Sequence, residues 1–204
     1  MRELSMHILD VLENALEAGA TQVRLSIEEN LCADRLTIFV QDNGQGMDTE
    51  IARRALDPFF TTRKTRHVGL GLPLLAEAAR RCDGGLTVDS SPGEGTTVTA
   101  TFRHSHLDRA PLGNLLDSLL AFLLNERTAD LVYHHQVIGC PGHSPEAGET
   151  HDRVFKLDTT AIRAELGEVP LSHPRVVEWL RRFIAEGEAA LTSRIESIPW
   201  EGVG

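Results

Sequence analysis

Cysteine, uninterrupted apolar sequence and positive charge are all scarce in this chain, and each shortage removes a class of protein. Only Cys32, Cys82 and Cys140 occur in 204 residues. They are odd in number, far apart and free of any Cys-x-x-Cys spacing, which excludes a disulfide framework and indicates a reducing compartment, the cytosol by default. No stretch approaches the roughly 18 to 20 apolar residues needed to cross a bilayer. Arg2, Glu3 and Asp10 interrupt the N-terminal segment where a secretion signal would be apolar, so a soluble protein without membrane insertion is expected. Acidic side chains outnumber basic ones 30 to 20, a formal net charge of −10, which gives nucleic acid no global attraction and makes it an unexpected partner. Internal repeats and low-complexity tracts are absent, and so is any Gly-x-x-x-x-Gly-Lys-Ser/Thr phosphate loop.

What is present begins with a helix. Ile8, Val11, Leu12, Ala15 and Leu16 recur at helical spacing between Glu3 and Ala18, with His7, Asp10, Glu13, Asn14 and Glu17 on the other side, and Gly19 ends the pattern. Alternation through Val23, Leu25 and Ile27 predicts a strand over 21–28, and alternation through Leu36, Ile38 and Val40 a second over 35–41. The loop Asp42-Asn43-Gly44-Gln45-Gly46 follows. Asp48 caps a short helix to about Leu56, and Pro58 then opens an irregular basic segment containing Arg63, Lys64 and Arg66. Gly69-Leu70-Gly71 starts another helix with Pro73 in its first turn and Leu74, Leu75, Ala78 and Ala79 as its buried stripe. Gly84-Gly85 closes it. Strands over 86–90 and 96–102 are joined by the turn Ser91-Pro92-Gly93-Glu94-Gly95.

A change of composition at residues 104–111 predicts a domain edge, so the chain divides into 1–103 and a smaller α+β region over 104–204. In the latter, a leucine-rich helix over 112–124, strands over 131–138 and 153–157, and an amphipathic helix after Pro174 with Val176, Val177, Leu180, Phe183 and Ile184 are expected.

Three groups of residues have the composition for chemistry. Asp10 and Asn14, spaced i and i+4, project side by side, so a carboxylate and an amide oxygen can converge on a hydrated metal ion and its water; they equally suit a solvated helix face. Asp42 with Gly44 and Gly46 is either an ordinary turn or a carboxylate that accepts from an exocyclic amine while the glycines let the backbone approach a flat ring. Gly69-Leu70-Gly71 before a helix either caps it or presents amides to an anion; no strand leads directly into it, so it is not a dinucleotide fingerprint.

Taken in order, these pieces resemble the GHKL ATPase superfamily. Residues 9–20 look like its N box, 42–47 like its first glycine box, Asp57-Pro58-Phe59-Phe60-Thr61-Thr62-Arg63-Lys64 like the phenylalanine box of histidine kinases, Gly69-Leu70-Gly71-Leu72 like their second glycine box, and Gly93-Glu94-Gly95-Thr96-Thr97 like the closing element. The resemblance covers residues 1 to 103. It implies a Bergerat-type two-layer α/β (α+β) sandwich, a mixed sheet with helices on one face, binding ATP and Mg2+. Asn14 is then the metal ligand and Asp42 the adenine-reading carboxylate, with Gly44, Gly46 and Thr96 shaping the base pocket. Phe60, Thr61, Thr62, Lys64, Gly69, Leu70 and Gly71 would contact nucleotide from a lid over 57–68 and the helix start after it. Asp10 is the catalytic candidate, one methylene shorter than the glutamate that usually serves as general base in hydrolysing relatives.

The N-box helix begins close to residue 1, leaving no room for preceding dimerising helices that carry a phosphorylated histidine, so phosphorylation in cis is not expected. Residues 104–114 and the tail resemble stand-alone bacterial ATP-binding proteins found beside iron-hydrogenase and related electron-transfer genes, which implies a partner protein from a redox or hydrogenase system docked on the C-terminal region. His134, His135, Cys140, His143 and His151 are of metal-ligating type, but their spacing fits no defined zinc pattern, and a polar loop between two strands is the expected reading. The function expected from all this is a histidine-kinase-like ATPase that hydrolyses ATP or passes its γ-phosphate or nucleotide state to a partner. The alternatives are an anti-sigma-like ATP-sensing module without turnover and a histidine or serine protein kinase acting in trans.

Overall fold

The computed structural model describes residues 3–57, 71–125, 127, 129–140 and 152–192. Within these the chain forms α1 (Leu4–Glu17), β1 (Gln22–Asn30), β2 (Arg35–Asp42), α2 (Thr49–Arg54), α3 (Gly71–Arg81), β3 (Gly85–Ser91), β4 (Gly95–Arg103), α4 (Leu115–Leu123), β5 (Asp130–Ile138), β6 (Arg153–Asp158), α5 (Thr159–Leu166) and α6 (Pro174–Thr192). No helix among the described residues is long and apolar enough to cross a membrane.

Six strands make one mixed sheet in the order β3-β4-β2-β1-β5-β6. All neighbours are antiparallel except β1 and β5, which run parallel from Gln22↔Asp130 to Asn30↔Ile138. The period-2 pattern places Val23, Leu25 and Ile27 of β1 with Leu131 and Tyr133 of β5 and with Ile38 and Val40 of β2 in the core, while Gln22, Arg24 and Gln41 face outward. This is the mixed-sheet α+β architecture that the resemblance implies. The expected edge after residue 103 does not interrupt it, because the parallel pairing of β5 continues the sheet past β1 and the two halves share a single hydrophobic core.

The same halves are joined at α1. A helix start leaves amides without intrahelical partners. Here Leu4 N–H donates to Pro111 O at 2.9 Å and Ser5 N–H to Leu112 O at 2.8 Å. Those two residues are consequently not helical, and α4 begins at Leu115 under the Asn114 cap rather than at Leu112. Ser118 on α4 donates from Oγ to Ser5 O at 3.1 Å, holding the two helices together.

Other expectations need correction. His7 lies on the polar side by periodicity yet is only 4% exposed, and Leu74, assigned to the buried stripe of α3, is 40% exposed; Pro73, Leu75 and Ala79 are the buried residues of that helix. At its C-terminus the left-handed residue is Asp83 (φ 53°), not a glycine; Gly84 instead lies so close to Thr101 O that a Cβ would sit 1.8 Å from it. On α6, Val176, Leu180 and Ile184 are buried, while Phe183 stays 36% exposed and stacks on Trp179 at 5.0 Å. Helix α5 was not anticipated; Asp158 Oδ1 caps it, accepting from Thr160 N–H at 2.9 Å.

At the far end of β1 the core turns ionic. His135 on β5, almost fully buried, sits between two carboxylates: Nδ1 is 2.9 Å from Glu188 Oε2 on α6, and Nε2 is 3.2 Å from Glu29 Oε1 on β1. His104 Nε2 reaches the other Glu29 oxygen at 2.8 Å, and the Tyr133 hydroxyl donates to Glu188 Oε1 at 2.8 Å. Burial alone would lower the His135 pKa, but the hydrogen bonds and charges of Glu188 and Glu29 outweigh it and raise it to about 9. Burial would likewise raise Glu29, but His104 and His135 bring it down to about 2.

Both shifts fix the sign of a pH dependence. The raised His135 contributes stability that is complete below about 6.5 and lost as the pH rises through about 9; the depressed Glu29 contributes stability present above about 4.5 and lost as the pH falls toward about 2. Urea unfolding should therefore give a midpoint that declines from about pH 6.5 to about pH 9. His135→Gln should cost about 3 to 5 kcal/mol at neutral pH, the scale for breaking a buried ion pair, and should flatten the alkaline decline. An alkaline limb of equal slope in that variant would assign it to other groups.

Candidate functional site

The residues that the sequence singles out around the end of β2 lie at the opposite end of β1. β2 ends at Asp42, which pairs with Val23 of β1 on one side and Thr96 of β4 on the other. Asp42 is 9% exposed. Burial pushes its carboxyl up from the ordinary range, and hydrogen bonds from the backbone amides of Gly44 and Thr96 pull partly against that shift. The Gly44 N–H reaches Oδ1 at 2.8 Å. The result is an acceptor-only group at the sheet's end, held by backbone amides.

The glycines here meet a steric demand. Gly46 has φ +66°, and a Cβ on it would lie 1.9 Å from Ser91 O; one on Gly95, at φ +93°, would lie 2.0 Å from Asp42 O. A Cβ at Gly44 would meet both Ala18 and the Asp42 carboxylate at 2.9 Å. The β3–β4 turn and the loop after β2 thus press directly on each other, and Gly93 N–H donates to Gln45 O at 2.7 Å.

Two residues that periodicity and spacing did not single out hold this loop. Asn43 accepts at Oδ1 from Thr21 N–H and Gln22 N–H, each at 2.9 Å, and donates from Nδ2 to Thr21 Oγ1 at 2.9 Å. Ser90 Oγ accepts from Met47 N–H at 2.8 Å, donates to Gly95 O at 2.9 Å and lies 2.9 Å from Thr96 Oγ1. Asn is a common turn residue because its amide can serve backbone groups in this way, so Asn43 carried a local signal; Ser90, at the end of a strand pattern, carried none.

The second half of the site is α1. Asp10 and Asn14 are half-buried on its polar face, and α3 begins against them: a Cβ on Gly71 would lie 2.9 Å from Asp10 Cβ and 3.4 Å from its Oδ2. The Asp10 carboxylate therefore lies beside a helix N-terminus, whose amide dipoles favour negative charge. His7 lies on the same side of α1 at i−3 from Asp10. Its Nδ1 is buried without a hydrogen-bond partner, and burial pushes its pKa down to about 4, so the ring is neutral at neutral pH. The two halves are tied together by Gln45 N–H, which donates to Ala18 O at 2.9 Å.

Of the predicted site residues, Asp42, Gly44, Gly46 and Thr96 form one cluster, and Asp10, Asn14 and Gly71 border the other along α1. Phe60, Thr61, Thr62, Lys64, Gly69 and Leu70, with the proposed lid after Asp57, lie outside the described residues. Among the described residues no group of three or more His, Cys, Asp or Glu side chains is arranged to hold a metal ion. His135 is committed to Glu29 and Glu188, and His143 and His151 lie outside the described residues.

Comparison with known proteins matches this half of the chain. The family described as "Histidine kinase-, DNA gyrase B-, and HSP90-like ATPase" matches residues 2–106, just over half of the sequence. The chain is 42% identical over 92 residues to "Sensor protein kinase FleS" of Pseudomonas aeruginosa, covering 45% of this chain and 23% of that protein. It is 35% identical over 97 residues to "Signal transduction histidine-protein kinase AtoS" of Escherichia coli, covering 47% and 16%. It is 29% identical over 109 residues to a "Putative sensor protein" of Shewanella frigidimarina, covering 52% and 17%. The chain thus spans about a fifth of the length of these relatives.

The tight contact at Gly46 yields a stability test of the loop. Gly46→Ala should destabilise by about 2 to 4 kcal/mol, combining a left-handed backbone with a methyl forced onto Ser91 O. Gly85→Ala, with open space around it, should change stability by no more than about 0.5 kcal/mol. Equal urea midpoints for the two variants would mean that the loop is not pressed against the β3–β4 turn.

Proposed function

Because the chain belongs to the histidine kinase-, DNA gyrase B- and HSP90-like ATPase family, we propose that it binds ATP with Mg2+ between the Asp42 loop and the polar face of α1, and passes the γ-phosphate or the nucleotide state to a separate protein. The observation that carries this reading is Asp42: a buried carboxylate with a raised pKa, held by amides at the end of a strand, beside glycines whose close contacts leave no room for side chains. Such a group gains from an amine donor like that of adenine, and the donor set fits the nucleotide.

In this reading Asp42 accepts from the adenine amine while Gly44, Gly46 and Thr96 shape the space for the ring. Asn14 offers an amide oxygen to the metal, a hard cation that prefers oxygen. Bound Mg–ATP supplies a phosphoryl group that can be transferred to water or to an acceptor side chain. Asp10, one turn before Asn14, orients or deprotonates the attacking group. Gly71 and the amides of the first turn of α3 favour the phosphates. The partner docks on the C-terminal region, whose outer surface includes the stacked Trp179 and Phe183.

The crowding of Asp10 by Gly71 supports a second reading, a nucleotide-responsive binding module with little turnover, since a short acid beside a helix start has restricted reach to a water molecule.

Two variants test the arrangement. Asp42→Asn, which turns one acceptor into a donor, should weaken ATP binding by about 1.5 to 3 kcal/mol, as for hydrogen bonds to charged groups; unchanged affinity in calorimetry would remove the base from this position. Asp10→Asn should keep ATP affinity and lower phosphate release or transfer about 10²-fold. With γ-labelled ATP and candidate partners, label in free phosphate indicates hydrolysis, label on a partner indicates transfer, and neither indicates the module without turnover.

A further inference from the structure

Parallel pairing of β1 with β5 runs to Asn30↔Ile138, and Leu31 N–H extends it by donating to Ile138 O at 3.0 Å. Just beyond, each chain carries a cysteine: Cys32 in the β1–β2 turn and Cys140 two residues after β5. Both thiols are free; Cys32 is exposed and Cys140 partly so. Cys32 donates from Sγ at 3.3 Å to the carbonyl oxygen of Gly139, the residue next to Cys140, and the two thiols interact electrostatically. Paired strands run about 4.8 Å apart, within the Cα separation of about 4.4 to 6.8 Å that a disulfide spans. The two positions are 140 − 32 = 108 residues apart in sequence, yet the sheet delivers them side by side. Cys82, the remaining cysteine, is 2% exposed at the end of α3.

We propose that Cys32 and Cys140 form a redox-active dithiol, oxidised reversibly to an intramolecular disulfide by low-molecular-mass disulfides. The site is separate from the nucleotide pocket. Asp42 pairs with Val23 at one end of β1 and the thiols follow Asn30 at the other, about 20 Å away at roughly 3.3 Å per residue.

Cys140, ahead of burial and the nearby Asp152 charge, pushes the Cys32 thiol pKa up, as expected of two neighbouring thiols. One thiol of the pair loses its proton to solvent, and its thiolate attacks one sulfur of the small disulfide, forming a mixed disulfide and releasing one thiolate, which takes up a proton. The other thiol then loses its proton to solvent and attacks the protein sulfur of the mixed disulfide. This forms the Cys32–Cys140 bond and expels the second thiolate, which is protonated in turn. The balance is one protein dithiol and one small disulfide giving one protein disulfide and two small thiols. The cross-link ties the β1–β2 turn to the end of β5 and restricts the unfolded chain across a long loop, so the oxidised protein should be the more stable form.

The test is to equilibrate the full chain in buffers of oxidised and reduced glutathione, quench with acid, denature, alkylate and weigh it by mass spectrometry. In reducing buffer three thiols should be alkylated; in oxidising buffer one, with a Cys32–Cys140 linked peptide after digestion and a higher melting temperature. Cys32→Ser and Cys140→Ser should each halt at a mixed disulfide between glutathione and the remaining cysteine of the pair. Three alkylatable thiols at every ratio, a wild-type chain that stops at mixed disulfides, or a link between two chains in place of the internal one would each overturn the proposal.

Discussion

The structure depends on the clamping of α1 at both ends by backbone hydrogen bonds from other parts of the chain. Its first amides are taken by the carbonyls of Pro111 and Leu112, and the carbonyl of Ala18 behind its last turn takes the amide of Gln45. Between these anchors Leu4, Ile8, Val11, Leu12, Ala15 and Leu16 are buried on the sheet and α4, each large side chain contributing about 1.5 to 3 kcal/mol. Burial fixes the rotation of the helix and the backbone bonds fix its position along its axis. The apolar stripe thereby sets Asp10 beside the start of α3.

That clamp explains why the C-terminal half belongs to the same fold as the half that carries the family's sequence pattern. Without residues 111–112 the start of α1 lacks its acceptors, and without β5 the nine residues of β1 lose one side of their hydrogen bonding. The buried group of Glu29, His135 and Glu188 has a related use. Buried ion pairs contribute little net stability against apolar substitutes, but they are intolerant of error. A slip of β5 by one residue would bring His134 or Gln136 to Glu29 and turn His135 to the opposite face. The charges act against the wrong register more strongly than they favour folding as such.

How much of this the sequence could disclose follows from the range of each interaction. Local patterns were legible: the apolar stripe of α1, the alternation of β1 and β2, the Asp48 cap and the glycine turn before β4 depend on neighbours within a few positions. Asp10, Asn14 and Asp42 stand out as candidates because they punctuate those patterns with polar residues in a recognisable order. Long-range pairings were not legible. Nothing in the alternation of residues 130–138 says that its partner is β1, and the polar stretch over 104–111 gives no sign that the sheet continues beyond it. His7 defeated the polarity rule, because burial of a neutral ring is tolerable on a core-facing side; Glu29 is buried as well, made tolerable by partners distant in sequence. Cys32 and Cys140 read as isolated residues until the sheet joins them.

The energetics of Asp42 close the argument about the site. An acid whose folded-state pKa is raised opposes folding once the pH exceeds its ordinary range, because the unfolded chain holds the charge more easily than the folded one. The amides of Gly44 and Thr96 reduce that penalty without cancelling it, and the loop that presents the carboxylate requires left-handed glycines and backbone contacts that exclude a Cβ. A feature that costs stability in the free chain and is nonetheless built from so many converging contacts is consistent with the proposed ligand site. A donor that reaches the carboxylate lowers the cost of its charge, so ligand binding and folding are favoured by the same hydrogen bond. In the proposed nucleotide complex, the raised acid is thus where a bound amine would offset a cost the free chain carries, with α1, held from both ends, on the other side of the ligand.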